Sequence, residues 1–327
     1  MKINLGFYKS RSLVIIGYDF HGEDGAWRSV YRYFRFCEAR GDRVMLIDRR
    51  KRGSLRQLLM ALIFSPKILI NGMGVFCRWE GILACLIRKD ILIYLHDTAW
   101  MVESYERNHP LKVRFFRNIV RSHKLLCVSD QMRTFFQSRY GSNNTLVVHE
   151  AAILPDDPDF SPVFHHIVMV GSIDERKGVP LFSEVASLAK EEMLPWKFHW
   201  IGALASQSLG KLNSNVYWWG WQDSALEFIR KADAFFLSSV DDPLPLACLE
   251  ALALGKRCIV YRGTGIAELI DRVPGCAIYE KHSREDALRA LKSAFAEEPD
   301  TEMMQSIVRE KASIASLAKK IDSLIGH

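Results

Sequence analysis

Between Ser12 and about Ala152 short apolar runs alternate with longer amphipathic ones. SLVIIGYDF precedes GAWRSVYRYFRFCEAR, RVMLID precedes SLRQLLMALIF, KILIN precedes VFCRWEGILACLI, DILIYLHD precedes LKVRFFRNIV, KLLCVSD precedes QMRTFFQSRY, and TLVVHEA ends the series. The short runs suit strands buried on both faces, and the longer ones carry apolar residues at helical spacing. Strands alternating with helices in this way build a doubly wound, mostly parallel α/β sheet. At 154 to 162 the stretch LPDDPDFSP, with three prolines and three aspartates, breaks the rhythm and reads as a linker. The alternation then restarts with HHIVMVGSI, VPLFSEVASLAKEE and KFHWIGA, and runs to a last helical segment near 302 to 325. The expected organisation is two Rossmann-like domains, 1–153 and 163–300, followed by a helical segment over 301–327. A length of 327 residues fits two domains of roughly 150. Tandem sheets of this kind leave a cleft at the carboxyl ends of their strands, where their ligands bind.

Composition excludes several classes. With 49% apolar and 25% charged residues the chain is neither disordered nor fibrous. Its seven cysteines contain no C-x-x-C pair and none stands near a histidine at metal-ligand spacing, as expected of reduced thiols in a cytoplasmic protein. The longest apolar runs, LLMALIF at 58–64 and GILACLI at 81–87, fall short of the ~20 residues of a membrane span, and no signal pattern follows Met1. A chain that neither crosses a bilayer nor is exported by a signal peptide is the expectation. Residues 1–150 hold 25 Lys+Arg against 13 Asp+Glu, or +12, and residues 151–327 hold 19 against 25, or −6. The first half is therefore suited to an anionic partner, an acidic membrane surface or a nucleic acid, or else presents a solvated basic face.

Two junctions in the second half carry chemistry. In VMVGSIDERKG a strand at 167–171 runs into a turn that shows Arg176 and Lys177 before a helix starting near Val179. Two cations beside a helix N-terminus suit a diphosphate, although a turn of this composition also serves as plain surface loop. In AFFLSSVDDPLPLACLEALALGK a buried strand leads into a turn and then a helix starting near Leu246. Pro243 and Pro245 cannot donate, so the free N–H groups are those of Leu244, Leu246, Ala247 and Cys248. Asp242 lies in the turn and Glu250 eight residues later; an acid in so apolar a stretch is either paired or placed for a ligand. The run VYWWGW reads as core packing, with Trp221 alone at the mouth of the sheet. Asp157-Pro158-Asp159 forms a literal D-x-D, which in another setting holds a divalent metal; inside the linker no metal is expected of it.

Taken together these residues resemble glycosyltransferase family 4, a large retaining family with the GT-B fold. Its E-x7-E motif is similar to DDPLPLACLE, with Asp242 and Glu250 in the acidic places, and its diphosphate clamp is similar to GSIDERKG. Its Gly-Trp turn resembles WWGWQD and its Gly-Gly-x-x-Glu loop resembles GTGIAEL. In the first half GEDGAWRSV, YLHDTAW and CVSDQMRTFF match more faintly, and VVHEAAILP stands where the family has Asn-Gly. The resemblance spans residues 12 to about 280. It implies an α/β GT-B enzyme, a hexosyltransferase moving a sugar from a nucleotide diphosphate sugar to a glycan or polyprenyl-diphosphate-linked acceptor held by the first domain, in cell-surface polysaccharide assembly. It implies that Arg176 and Lys177 neutralise the leaving diphosphate, that the N–H groups of Leu246 and Ala247 share it, and that Gly25 lets backbone approach it. Glu250 would hold the ribose hydroxyls, Asp242 the sugar hydroxyls, and His96 would face the sugar or acceptor. Ser172 belongs to the donor site where many members have arginine, Asp242 replaces the usual glutamate, and Thr264 replaces a glycine. No cofactor and no metal are implied. The protein is expected in the cytoplasm, peripheral on the inner face of a membrane, with RRKR at 49–52 and Arg28, Arg32, Arg35, Arg114, Arg117 and Arg121 favouring anionic lipid that high salt would release. A nucleotide-sugar epimerase of the same fold, or a non-catalytic nucleic-acid-binding protein using the basic half, are the alternatives; the main reading expects no nucleic acid.

Overall fold

The computed structural model describes residues 13–17, 25–88, 90–154, 165–204 and 214–326. The expected linker, with its Asp157-Pro158-Asp159 run, lies outside the described residues except for Leu154. Two compact units emerge, Met1–Ala151 together with Ile314–His327, and Ala152–Ser313.

Unit one is a six-stranded parallel sheet. Its strands are β1 (Leu13–Gly17), β2 (Val44–Asp48), β3 (Ile68–Asn71), β4 (Leu92–Leu95), β5 (Lys124–Cys127) and β6 (Thr145–Val147), in the order β2-β1-β3-β4-β5-β6. Every residue of β1, β3 and β4 is buried, as their largely apolar sequences LVIIG, ILIN and LIYL require of strands covered on both faces. The edge strands β2 and β6 are only partly buried. Between the strands run α1 (Gly25–Arg40), α2 (Ser54–Phe64), α3 (Trp79–Ile87), α4 (Ala99–Asn108), α5 (Pro110–Ser122) and α6 (Asp130–Tyr140). Thr98 and Ser129 cap α4 and α6 by accepting from the N–H of Met101 and Met132, and Gly141 ends α6 in the left-handed region.

Unit two repeats the plan. Its strands are β7 (His166–Val170), β8 (Lys197–Ile201), β9 (Val216–Trp218), β10 (Ala234–Leu237), β11 (Arg257–Tyr261) and β12 (Ala277–Tyr279), all parallel, in the order β12-β11-β10-β7-β8-β9. Its longer helices are α7 (Val179–Glu191), α8 (Ala225–Lys231), α9 (Leu246–Ala253), α10 (Arg284–Ala296) and α11 (Thr301–Lys311). The helical segment expected as one block over 301–327 is divided: α11 packs on α9, whereas α12 (Ile314–Ile325) packs on α1 in unit one. There Asp322 accepts from Tyr33 Oη at 3.3 Å and from Arg40 Nη1 at 2.6 Å.

The order of the strands fixes where a ligand can enter. From β7 the chain winds through β8 to β9 on one side, then returns to β10 on the other side of β7 and continues to β11 and β12. The connections leaving β7 and β10 therefore diverge, opening a crevice at their carboxyl ends. The turns after these two strands are GSIDERKG and SSVDDPLP.

Candidate functional site

The two turns meet at that crevice. After β7, Asp174 caps the single 3-10 turn Glu175–Lys177 by accepting from Lys177 N at 2.9 Å, and its other oxygen accepts from Ser172 Oγ at 2.7 Å. Ser172 thus orients the cap that shapes the Arg176-Lys177 turn. Gly178 follows at φ 70°, where an added Cβ would stand 1.8 Å from the carbonyl oxygen of Ser238 at the end of β10. Only glycine permits this approach. The two turns are stitched by Val240 N to Arg176 O at 2.9 Å and Ser238 Oγ to Lys177 O at 2.8 Å.

This stitching brings the charges together. Lys177 Nζ lies 2.6 Å from Asp242 Oδ2, and Arg176 Nη1 lies 3.7 Å from the same oxygen while donating to Asp241 O at 3.2 Å. Asp242 is 5% exposed, so its charge is compensated at close range by the two cations. The acid in the first place of the motif and the basic pair of the other turn, 65 residues apart in sequence, form one cluster. The carbonyl of Asp242 accepts from Gly265 N at 2.9 Å, which draws the GTGIAEL loop to the same place, and Thr264 closes that loop by donating to Tyr261 O at 2.7 Å.

Pro245 is the cap residue of α9, with φ −70° and ψ 115°, and Leu246 and Ala247 occupy the first turn. Their N–H groups have no carbonyl one turn back within the helix. Cys248 differs from the expectation: its N–H donates to Pro245 O at 3.1 Å, as that of Leu249 does at 3.2 Å, so Cys248 is not an open donor. Glu250 sits one turn further along and is partly exposed, where a fully enclosed acid was the alternative. Tyr279 Oη donates to Leu237 O at 2.8 Å, and burial pushes its hydroxyl well above the ordinary tyrosine range, so it remains a donor that fixes the end of β10.

Sequence reasoning missed Asp174, Ser238 and His282. The first was legible as an N-cap preceding E-R-K-G. The last has no such signal: His282 Nε2 contacts Ser238 O at 2.8 Å from beyond β12, a pairing that only the sheet order brings about.

The aromatic run needs correction. Tyr217, Trp218, Trp219 and Trp221 are each about half exposed, because β9 is the edge of the sheet, and of β9 only Val216 is buried. Trp218 Nε1 donates to Gly202 O at 2.8 Å, and Gly202 N donates to Gly220 O at 2.7 Å, so Trp221 follows at the carboxyl end of the edge strand. At the other end of this sheet His166 and His199 stack at 4.7 Å. Burial, His166 and Lys197 lower the His199 pKa to about 4.

In unit one His96 follows β4 with its side chain 5% exposed. Its Nδ1 is hydrogen-bonded to Glu150 and its Nε2 lies 2.7 Å from Asn71 Oδ1. Both ring nitrogens are thus engaged within the unit, by residues that the sequence reading did not single out. Gly25 opens α1, and the rest of its GEDG loop lies outside the described residues. Among the described residues no group of three or more His, Cys, Asp or Glu is placed to hold a metal ion, and no helix is long and apolar enough to cross a membrane.

Residues 165–297 match the family model described as "Glycosyl transferases group 1". Most of the second unit is thus similar to a group 1 glycosyltransferase domain. The clamp, α9 and the GTGIAEL loop all fall inside it. The chain is 25% identical over 218 residues to the N,N'-diacetylbacillosaminyl-diphospho-undecaprenol alpha-1,3-N-acetylgalactosaminyltransferase of Campylobacter jejuni, covering 62% of this chain and 54% of that protein. It thus spans about half the length of this curated relative. In structure it is similar to Anabaena Alr3699/HepE in complex with UDP and glucose, with a TM-score of 0.71, 12% identity, and 97% and 99% of the two chains covered. It is also similar to sucrose-phosphate synthase from Thermosynechococcus elongatus, with a TM-score of 0.69, 15% identity, and 96% and 98% covered. These likenesses extend beyond the group 1 domain to nearly the whole chain, which has the two-domain α/β GT-B fold.

Proposed function

We propose that the protein is a retaining glycosyltransferase that moves a hexose from a nucleotide diphosphate sugar to a glycan or lipid-linked acceptor in cell-surface polysaccharide assembly. The observation that carries the reading is the convergence of Arg176, Lys177 and the first turn of α9 at the carboxyl ends of β7 and β10. Negative charge accumulates on the diphosphate as its bond to the anomeric carbon breaks toward an oxocarbenium-like state, and preorganised donors lower the barrier where that charge develops. Arg176 and Lys177 supply side-chain charge, and Leu246 and Ala247 supply N–H groups at a positive helix end. Glu250, partly exposed one turn into α9, accepts from the ribose hydroxyls, and Asp242 is shared between the clamp and the hydroxyls of the transferred sugar. The relative from Campylobacter is named for a diphospho-undecaprenol acceptor, and the HepE structure holds UDP and glucose. These names support a nucleotide-sugar donor and a lipid-linked acceptor, and the +12 charge of residues 1–150 supports work at an anionic, cytoplasmic membrane face.

The test is a thermal-shift screen of UDP-, GDP-, ADP- and dTDP-linked sugars, since a ligand at 100 times its Kd stabilises the folded state by about 2.7 kcal/mol. One nucleotide is expected to raise the Tm, and Glu250→Ala to abolish both that shift and turnover while the protein still folds. A full shift in the variant would remove Glu250 from the site, and no shift with any nucleotide would overturn the reading.

A further inference from the structure

The helices on one face of unit one show large apolar side chains to solvent beside their basic ones. In α3 the solvent-facing positions are Trp79, Leu83, Leu86 and Ile87, spaced i, i+4, i+7 and i+8, while Ile82, Ala84 and Cys85 face the core. Leu83 is 55% and Ile87 66% exposed. In α2 Leu55, Leu59 and Ile63 repeat the pattern, with Leu58, Ala61 and Leu62 beneath them. In α5 Leu111 and Phe115 are exposed over buried Phe116, Ile119 and Val120. A helix covering a sheet is expected to show polar residues to solvent.

These stripes form one surface. Each of the three helices links a strand to the next in the same direction across the sheet, so right-handed crossovers place them on the same side. Arg88, just after α3, donates to Leu62 O and Ser65 O at the end of α2, at 3.1 and 2.7 Å. The rings of Trp79 and Phe115 meet edge-on at 6.0 Å, and Lys112 Nζ lies 5.1 Å from the centre of the Trp79 ring. Next to Trp79 opens a cavity of about 520 Å³ whose lining includes Arg78, His109 and Lys112. Its one acid, Asp97, is engaged by Met73 N at 2.8 Å.

Charge identifies the occupant. Neither α2 nor α5 contains an acidic residue and α3 contains one, Glu80, while Arg56, Lys112, Arg114, Arg117 and Arg121 lie on α2 and α5, Arg117 paired with Glu106 of α4 at 3.0 Å. A two-fold contact with a second copy would set these cations against themselves. A nucleic acid would gain nothing from Leu83, Ile87 and Leu111. Apolar side chains bordered by tryptophan and by a surplus of lysine and arginine match the boundary between acyl chains and acidic headgroups. We infer that the face formed by α2, α3 and α5 seats the protein on an anionic bilayer, with Trp79, Leu83, Ile87 and Leu111 entering it and the basic cavity receiving a lipid phosphate. The inference rests on the proposed membrane-borne acceptor for its purpose, and it changes the expected mode of attachment. Binding by charge alone would be released by salt, whereas inserted side chains hold part of the protein at high salt.

The experiment is co-sedimentation of the full chain with extruded vesicles of 70% phosphatidylcholine and 30% phosphatidylglycerol. Wild type is expected to pellet, and Leu83→Ser/Ile87→Ser to bind about 10-fold or more weakly, two side chains leaving the acyl boundary costing at least one decade. Lys112→Gln/Arg114→Gln is expected to bind only as tightly as wild type does at high salt. Both variants alter exposed or half-exposed positions and are expected to keep the wild-type Tm and the wild-type thermal shift with nucleotide, a readout from unit two that separates this inference from the transferase reading. A serine variant that pellets like wild type would overturn the inference. So would a wild type that stays in the supernatant, or one that forms a concentration-dependent dimer without vesicles which the serine variant abolishes.

Discussion

Asp242→Asn tests whether the acid of the turn belongs to the clamp. The substitution keeps the shape of the side chain and removes its charge, leaving Lys177 Nζ 2.6 Å and Arg176 Nη1 3.7 Å from a neutral oxygen or amide. A charge-assisted hydrogen bond contributes about 1.5–3 kcal/mol, and breaking a fully buried pair costs about 3–5. Lys177 and Arg176 keep 14% and 29% side-chain exposure, so water recovers part of the loss and the lower range applies. For a unit of this size about 1.5–3 kcal/mol lowers the Tm by roughly 3–12 °C. Ligand binding is expected to move the other way. With Asp242 neutral both cations face the diphosphate uncompensated, and the nucleoside diphosphate identified by the screen is expected to bind about 3- to 10-fold tighter, falling toward wild type as salt rises. The matching nucleotide sugar is expected to gain less, because the hydroxyl contact of Asp242 is weakened as well. Differential scanning fluorimetry gives the first quantity and isothermal titration with both ligands gives the others. An unchanged Tm combined with weaker binding of the nucleoside diphosphate would refute the reasoning, since Asp242 would then act on the ligand and not through the clamp.

Three further outcomes are expected. Gly178→Ala places a Cβ at φ 70° against Ser238 O, a backbone contact that cannot rotate away, and is expected to cost more than about 3 kcal/mol and to abolish the nucleotide shift in calorimetry. Glu150→Gln weakens the bond to His96 Nδ1 and is expected to destabilise the protein by about 1–3 kcal/mol in urea unfolding while leaving the nucleotide Kd unchanged; a weakened Kd would bring His96 into the donor site. His199 has its folded-state pKa lowered to about 4, so the unfolded chain binds the extra proton between about pH 6.5 and 4, and its contribution is full above that window and lost as pH falls through it. The full shift corresponds to about 3 kcal/mol, which the partial exposure of the ring reduces to about 1–2; His199→Phe is expected to flatten the dependence of the Tm on pH across that window.

What the sequence disclosed and what it withheld divide along a physical line. Both sheets were legible because parallel strands buried on two faces are nearly continuously apolar, and LVIIG, LIYL and AFFL admit few other settings. The turn-to-helix junctions at Val179 and Leu246 were legible because capping and proline chemistry are local. Contacts made by the sheet order were not. Ser238 meeting Lys177, His282 meeting Ser238, and Glu150 meeting His96 join segments 44 to 61 residues apart, and no spacing announces them. The aromatic run failed for a related reason: alternation shows that a strand has two faces but does not show that β9 is an edge, and at an edge both faces reach water. The clamp itself stands between these cases. Arg176, Lys177 and Asp242 were each singled out from local pattern, and a diphosphate was the partner expected for the cations. The structure shows the cations already compensated by Asp242, so a diphosphate must compete for Lys177 with a buried carboxylate held 2.6 Å away. Affinity for the leaving group is thereby held down in the free protein, a condition that favours release of the nucleoside diphosphate once the sugar has left.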